Sequence, residues 1–115
     1  MTNSARVHQT QPVLTAGEPL NQAKAAMIVV HGRGATADSI LSLVPEIHQP
    51  GFAYLAPQAS GGVWYPNRFL APLASNEPDL SSALSVLGDI LLSINQAGIK
   101  SERVNKIILV AFMIR

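Results

Sequence analysis

Residues 25–40 read AAMIVVHGRGATADSI, and this stretch decides the fold class. Its first part, residues 25–31, is apolar and rich in β-branched side chains, which is typical of a strand buried on both faces of a parallel sheet. The GRG sequence at residues 32–34 ends that strand. Apolar residues then recur at i, i+3, i+4 and i+7 over residues 40–47, which predicts an amphipathic helix with Thr36 as its N-cap.

The rest of the chain continues this alternation. Residues 52–56 (FAYLA) and 106–112 (KIILVAF) predict a second and a third buried strand. Residues 57–78 between them form a loop of a length that is usually functional or disordered. A second helix is predicted to begin near residues 76–79 (NEPD) and to end at Gly98. The stripe of this helix expected to face the core consists of Leu80, Leu84, Leu87, Leu91 and Ile94.

Alternating strands and helices indicate an α/β fold, in which parallel strands are joined by right-handed helical crossovers. Residues 25–115 are expected to form this α/β unit. Residues 1–24 are expected to form an N-terminal segment, in which Val13 and Leu14 are a candidate short strand. Pro45 falls inside the first predicted helix and should end or kink it near Val44.

The composition excludes two classes of protein. The chain has 115 residues, of which 13% are charged and 48% hydrophobic, with 8 Lys+Arg against 7 Asp+Glu. The charged share is about half of the roughly 25% found in soluble domains. This balance excludes a disordered tail, and it offers no basic stripe, so no nucleic-acid partner is expected. A small domain with so few charges fits a piece of something larger.

Cysteine and metal-ligand patterns are missing from the sequence. The chain contains no cysteine, which excludes disulfides, thiolate metal sites and a cysteine nucleophile. Its histidines and acidic residues show no metal-ligand spacing, so neither a metal nor a cofactor is expected. Residues 1–12 are polar and lack the apolar core of a secretory signal. The longest apolar run, residues 107–114, is far shorter than the roughly 20 residues of a membrane-spanning helix, so we expect a cytoplasmic protein without a transmembrane segment.

The turn at residues 31–35 (HGRGA) admits three interpretations. Gly32, Gly34 and Ala37 fit the G-x-G-x-x-A fingerprint of a dinucleotide site, but residues 55–58 (LAPQ) lack the acidic residue that would bind the ribose. A second interpretation is an oxyanion hole, in which a backbone N–H of the turn stabilises a tetrahedral intermediate of acyl transfer. The third is a tight turn that needs glycine for steric reasons alone. The local sequence favours the last two interpretations equally over the first.

Four longer segments carry a resemblance across nearly the whole chain. They are AMIVVHGRGATADSI (26–40), YLAPQASGGVWYPNRFLAP (54–72), NEPDLSSAL (76–84) and VNKIILVAF (104–112). In this order they resemble the phospholipase/carboxylesterase family, α/β-hydrolases with a serine nucleophile that are related to acyl-protein thioesterases and close to dienelactone-hydrolase-like proteins. The resemblance implies a partial α/β-hydrolase fold and a small-molecule ester or thioester as the substrate of the full-length parent protein.

The resemblance also assigns roles to residues of the turn and of the long loop. The backbone N–H of Arg33, next to Gly32, corresponds to the first oxyanion donor, a role in which the Arg33 side chain need not take part. His31 and Gly34 belong to the same motif, in which the histidine shapes the turn and is not the catalytic base. Loop residues that border the family's cleft either line an acyl or aryl pocket or anchor the loop to the core; they are Trp64, Tyr65, Arg68 and Phe69.

The resemblance fails at residues 111–115. The family's strand runs into Gly-Phe-Ser-Gln-Gly with serine as the nucleophile, whereas this chain reads AFMIR and places Met113 at the serine position. A thioether cannot act as an acyl-transfer nucleophile. The triad acid and histidine follow the serine in chain order. We therefore expect no catalytic triad residue here, a product truncated or frameshifted before the serine, and no activity of the chain alone.

Two functions from different classes remain open on the sequence. In the first, the chain is the catalytically incomplete N-terminal part of a serine ester or thioester hydrolase, with an exposed sheet edge that invites self-association. In the second, it is a non-enzymatic domain that binds a small ligand or another chain. Hydrolysis of a p-nitrophenyl ester distinguishes them, since the first function predicts turnover only in a version extended through a serine elbow.

Overall fold

The computed structural model describes residues 7–47, 49–67, 72–99 and 104–105. The strands among these residues are β1 (Val13–Gly17), β2 (Ala25–Ile28), β3 (Phe52–Pro57) and β4 (Val104–Asn105). They form one sheet in the order β1-β3-β2-β4. The strand β2 pairs in parallel with β3 on one side and with β4 on the other, and β1 pairs antiparallel with β3.

The sheet is therefore mixed: the pairings of β2 with β3 and β4 are parallel as predicted, and β1, for which the sequence predicted no direction, is antiparallel. This strand lies at the predicted short strand and sets Thr15 opposite Leu55. Its residues alternate between partly buried and exposed, which is typical of an antiparallel edge strand with one solvated face. The third predicted strand, residues 106–112, lies outside the described residues, and β4 directly precedes it.

The helices are α1 (Ala37–Leu41), α2 (Val44–Ile47) and α3 (Asp79–Gln96). Thr36 is the N-cap of α1, as the sequence predicted. Ser39 N–H donates to Thr36 Oγ1 over 3.0 Å, and Thr36 N–H donates to Ser39 Oγ over 3.2 Å. Each side chain therefore accepts from a backbone N–H that the helix itself leaves without a partner. The first predicted helix is divided into α1 and α2 just ahead of Pro45, which is the interruption that a proline imposes.

The core-facing side of α3 differs from the predicted leucine stripe. Leu84 is 62% exposed and Leu91 is 36% exposed, so neither lies in the core. Ser82 lies there instead, because its hydroxyl accepts from His8 N–H over 2.9 Å and donates to Gln9 Oε1 over 2.6 Å. A buried hydroxyl costs little stability when both partners are present. The buried residues of α3 are Ser82, Ala83, Val86, Ile90 and Ile94.

Helices cover both faces of the central strands. Ile28 and Leu55 belong to a buried cluster with α3 on one face, and Val29 and Tyr54 belong to a second cluster with Ile40 of α1 on the opposite face. The connection from β2 to β3 covers one face, and the connection from β3 back to β4 covers the other. The carboxyl end of β2 is therefore a topological switch point, the place where open α/β sheets bind ligands.

Candidate active site

A glycine turn lies directly beyond the carboxyl end of β2. Ala35 N–H donates to Gly32 O over 3.0 Å, and Gly34 has a φ of 78°. A positive φ at the third residue of a four-residue turn fits a type II turn, in which glycine is favoured at that position. Gly34 N–H donates to Gly62 O over 2.8 Å, so the turn is held against the long loop.

The main-chain N–H of Arg33, at the second position of the turn, differs from its neighbours. The amides of Gly34 and Ala35 are both hydrogen-bonded within the protein, whereas no acceptor for the Arg33 amide is found among the described residues. Arg33 is exposed. A backbone N–H is a strong donor, so the turn leaves this amide available to an acceptor that enters from outside.

His31 braces the turn from the buried side, with 1% of its surface exposed. Its Nε2 accepts from Ala59 N–H over 3.0 Å, so the ring proton lies on Nδ1, which donates to Gly32 O over 2.8 Å. Burial lowers the pKa of His31, and the neighbouring His8 lowers it further, although the hydrogen bond to Gly32 acts in the opposite direction. The turn is therefore supported by a neutral imidazole in one defined tautomer.

The long loop is joined to the turn by Trp64. Its indole N–H donates to His31 O over 2.9 Å, and its ring stacks on the His31 ring with centroids 5.0 Å apart and an angle of 28°. On its other side, the ring of His8 lies 5.1 Å away at 60°. Trp64 is thus held against two imidazoles, which is the arrangement of a loop anchor. Tyr65, the next residue, is half-buried.

The Arg33 side chain crosses to the same loop. Its Nη1–H donates to Tyr65 O over 2.8 Å, and its Nη2–H donates to Pro66 O over 2.7 Å. The planar guanidinium presents parallel donors in a fixed fork, which suits two consecutive carbonyls. Sequence reasoning did not predict a role for this side chain, because a pairing with main-chain oxygens 32 and 33 residues away leaves no pattern in the sequence.

Comparison with known proteins supports the predicted family. No family model matches the sequence, and no curated protein matches it. A crystal structure of a phospholipase/carboxylesterase from Dyadobacter fermentans matches with a TM-score of 0.79 and 39% sequence identity, over 82% of this chain. The resemblance to the phospholipase/carboxylesterase family is confirmed. The chain spans 45% of the length of that relative, and it shares part of an α/β-hydrolase fold with it.

Several residues that the phospholipase/carboxylesterase resemblance singles out come together in the fold. His31, Gly32, Arg33 and Gly34 form the turn, and residues 64–65 of the loop contact it through the bonds given above. Arg68, Phe69 and Met113 lie outside the described residues.

Sequence reasoning missed His8, which is 1% exposed and hydrogen-bonded to the loop. The only available signal was a histidine in a polar segment near a short strand, which is too common to indicate a buried role.

A shallow cleft lies between the N-terminal segment and α3, lined by Gln9, Gln11, Asp89 and Ser93 among others, and it contains no residue of the glycine turn. No group of three or more His, Asp or Glu side chains that could hold a metal ion occurs in the described part of the chain. None of the helices described is both long and apolar enough to cross a membrane.

Proposed function

We propose that this chain forms the oxyanion-binding part of a carboxylic ester or thioester hydrolase of the phospholipase/carboxylesterase type. One observation carries the proposal: the Arg33 amide has no acceptor among the described residues, while the two amides that follow it are both used. This amide lies in an exposed turn at the carboxyl end of β2, where a ligand of an α/β sheet is expected.

The chemistry requires a donor that is fixed before the reaction begins. When a nucleophile adds to the carbonyl carbon of an ester or thioester, the carbonyl oxygen becomes an anion. A preorganised N–H stabilises that anion more than it stabilises the neutral carbonyl, which lowers the barrier. The hydrogen bonds from His31 to Gly32 and from Gly34 to Gly62 restrict movement of the turn, so the Arg33 N–H is oriented before the reaction begins.

The loop provides one wall of the substrate cleft in this proposal. Trp64 is engaged by His8 and His31, so its ring serves to anchor the loop. Tyr65, half-buried and joined to Arg33 through its carbonyl, is the side chain of this pair that we assign to the acyl or aryl pocket. The substrate is a small molecule that carries an ester or thioester bond.

The 115-residue chain is expected not to hydrolyse esters by itself. Met113 stands at the position where the family has its serine, and a thioether has no proton to lose and does not act as an acyl acceptor. A p-nitrophenyl ester should therefore release no nitrophenol above the uncatalysed rate in the presence of this chain.

A chimeric enzyme tests the proposal directly. Residues 1–112 of this chain are joined to the C-terminal part of a phospholipase/carboxylesterase that begins at the serine of its Gly-Phe-Ser-Gln-Gly elbow, so that the nucleophilic serine follows residue 112. The chimera should hydrolyse p-nitrophenyl esters. Substituting Arg33→Pro removes the N–H and keeps a conformation that the second position of a type II turn accepts, so kcat should fall by about 10²–10³-fold.

Arg33→Ala is the matched control, because it removes the side chain and keeps the N–H. This variant should retain most of kcat. Equal activity of Arg33→Pro and Arg33→Ala would contradict the oxyanion role of the amide. A folded chimera, with cooperative thermal unfolding, that shows no hydrolysis at all would contradict the hydrolase function itself.

A further inference from the structure

His8 is buried, and its backbone N–H and both ring nitrogens have hydrogen-bond partners that are far away in the sequence. Its backbone N–H donates to Ser82 Oγ of α3 over 2.9 Å. In the ring, Nδ1 accepts from Ser60 N–H over 3.0 Å, so the ring proton lies on Nε2, which donates to Trp64 O over 2.8 Å. One residue of the N-terminal segment therefore joins α3 to two positions of the long loop.

The contacts continue from Trp64 to the glycine turn. The indole N–H of Trp64 donates to His31 O, and the Nδ1–H of His31 donates to Gly32 O. Gly32 precedes Arg33, the residue whose amide faces outward. We use the term turn network for His8, Trp64, His31 and residues 32–34. It is a continuous series of bonds from a buried N-terminal imidazole to the proposed oxyanion donor.

Because the two imidazoles of this network are buried, its polar groups need hydrogen-bond partners within the protein. His8 and His31 are each 1% exposed, and every buried side-chain polar atom in the described part of the chain has a hydrogen-bond partner. Loss of the His8 ring would leave Ser60 N–H and Trp64 O without their partners. An unpaired buried polar group costs more than the net gain of a hydrogen bond, so the loop would move to find water or another partner.

We propose that His8 is a positioning residue for the glycine turn, acting through Trp64. The inference rests on the proposed function in so far as the turn is an oxyanion site. The physical claim, however, is that the His8 ring fixes the direction of the Arg33 N–H. That claim can be tested without any hydrolysis, so its failure and the failure of the hydrolase proposal are distinguishable.

The test uses two signals from the 115-residue chain. Trp64 is its single tryptophan, so intrinsic fluorescence reports on that side chain alone. The ¹H–¹⁵N resonances of Gly32, Arg33 and Gly34 report on the turn. His8→Ala should shift Trp64 emission to longer wavelength and displace all three turn resonances. Thr10→Ala, at an exposed residue of the same segment, should change neither signal.

Conservative variants separate a positioning role from general stability. His8→Gln keeps a donor where Nε2 lies, so it should retain Trp64 emission and restore the turn resonances, and this variant decides the matter if His8→Ala does not fold. Trp64→Phe keeps a stacked ring and loses the indole N–H, so adding His8→Ala in that background should displace the turn resonances less than His8→Ala does in the wild type.

Two results would overturn the proposal. In the first, Trp64 emission shifts in His8→Ala while the turn resonances remain the same as in the Thr10→Ala control. That result would mean that His8 holds the loop and does not affect the turn. In the second, His8→Gln displaces the turn resonances as far as His8→Ala does while Trp64 emission is unchanged, which would mean that the turn is not reached through Trp64.

Discussion

The core beneath α3 and the turn network are stabilised in different ways. In the core, Ile90 and Ile94 pack against Ile28 and Leu55, and apolar burial provides the free energy. In the turn network, buried imidazoles, an indole and main-chain groups are joined by hydrogen bonds. The first region should therefore respond to lost volume, and the second to backbone conformation and to protonation.

The largest effect is expected from a loss of volume in the core. Ile90 is 5% exposed, and Ile90→Ala should lower the free energy of unfolding by about 2–5 kcal/mol, because transfer free energy is lost and a cavity remains. Urea denaturation followed by circular dichroism measures it. Leu92→Ala on the same helix, where the side chain is 56% exposed, should change the free energy by no more than about 0.5 kcal/mol. Equal losses of stability in the two variants would contradict the assignment of Ile90 to the core-facing side of α3.

Two glycines offer the same substitution in the two regions with opposite expected signs. A Cβ added at Gly34 or at Gly88 meets nothing within 4 Å, so space does not distinguish them. Gly34 has a φ of 78°, and Gly34→Ala should cost about 1–2 kcal/mol. Gly88 lies inside α3, and Gly88→Ala should raise stability by about 0.5–1 kcal/mol. Denaturant midpoints of the two variants would contradict this if they moved in the same direction.

Acid should weaken the turn network and leave the α3 core unaffected. Burial holds the pKa of His31 below its ordinary value, so the unfolded chain binds a proton that the folded chain does not. Stability is therefore complete above about pH 6.5, the ordinary histidine pKa, and falls as the pH drops from there toward the folded pKa. Urea midpoints between pH 7.5 and pH 5 measure this.

The control for the acid effect is His31→Gln, whose amide at the Nε2 position keeps a polar group beside Ala59 and does not titrate. Its stability should depend less on pH over the same range than that of the wild type. Ile90→Ala, which changes only the core, should keep the wild-type dependence. An unchanged pH dependence in His31→Gln would show that a different group titrates.

The sequence predicted the fold better than the side-chain contacts, for physical reasons. The strands β2 and β3, the Thr36 cap and the interruption at Pro45 depend on neighbouring residues, so local pattern was enough to find them. The direction of β1 depends on its partner β3, which a single strand sequence does not specify. The predicted face of α3 was right at Ile94 and wrong at Leu84 and Leu91. It also left out Ser82, which counts as polar in a periodicity although two partners from the N-terminal segment permit its burial.

The glycine turn lies where the sequence predicted it, but the residues that support the turn were not predicted. The HGRG sequence after a buried strand indicated the turn, because glycine is the residue favoured where φ is positive. The residues that support the turn belong to no such recognisable sequence pattern. His8 and Ser82 are 74 positions apart, and a hydrogen bond at that separation follows from the tertiary fold alone. The loop around Trp64 was indicated by its length and by the resemblance to a known family, and neither signal specified its contacts with the turn.

The smallest effect on stability is expected from the Arg33 guanidinium, which joins the glycine turn to the long loop. Arg33 is exposed, so Arg33→Ala should change the free energy of unfolding by about 0.5 kcal/mol or less. The loop should nevertheless open more often, because Tyr65 O and Pro66 O lose their donors. The Tyr65–Pro66 bond resists chymotrypsin because proline follows it, so chymotrypsin should instead cleave after Trp64, and faster than in the wild type. Arg33→Lys is the decisive comparison: an ammonium keeps the charge but cannot bridge two carbonyls in a fixed plane, so it should be cleaved like Arg33→Ala. Full protection in Arg33→Lys would show that charge alone, without the fork, closes the loop onto the turn.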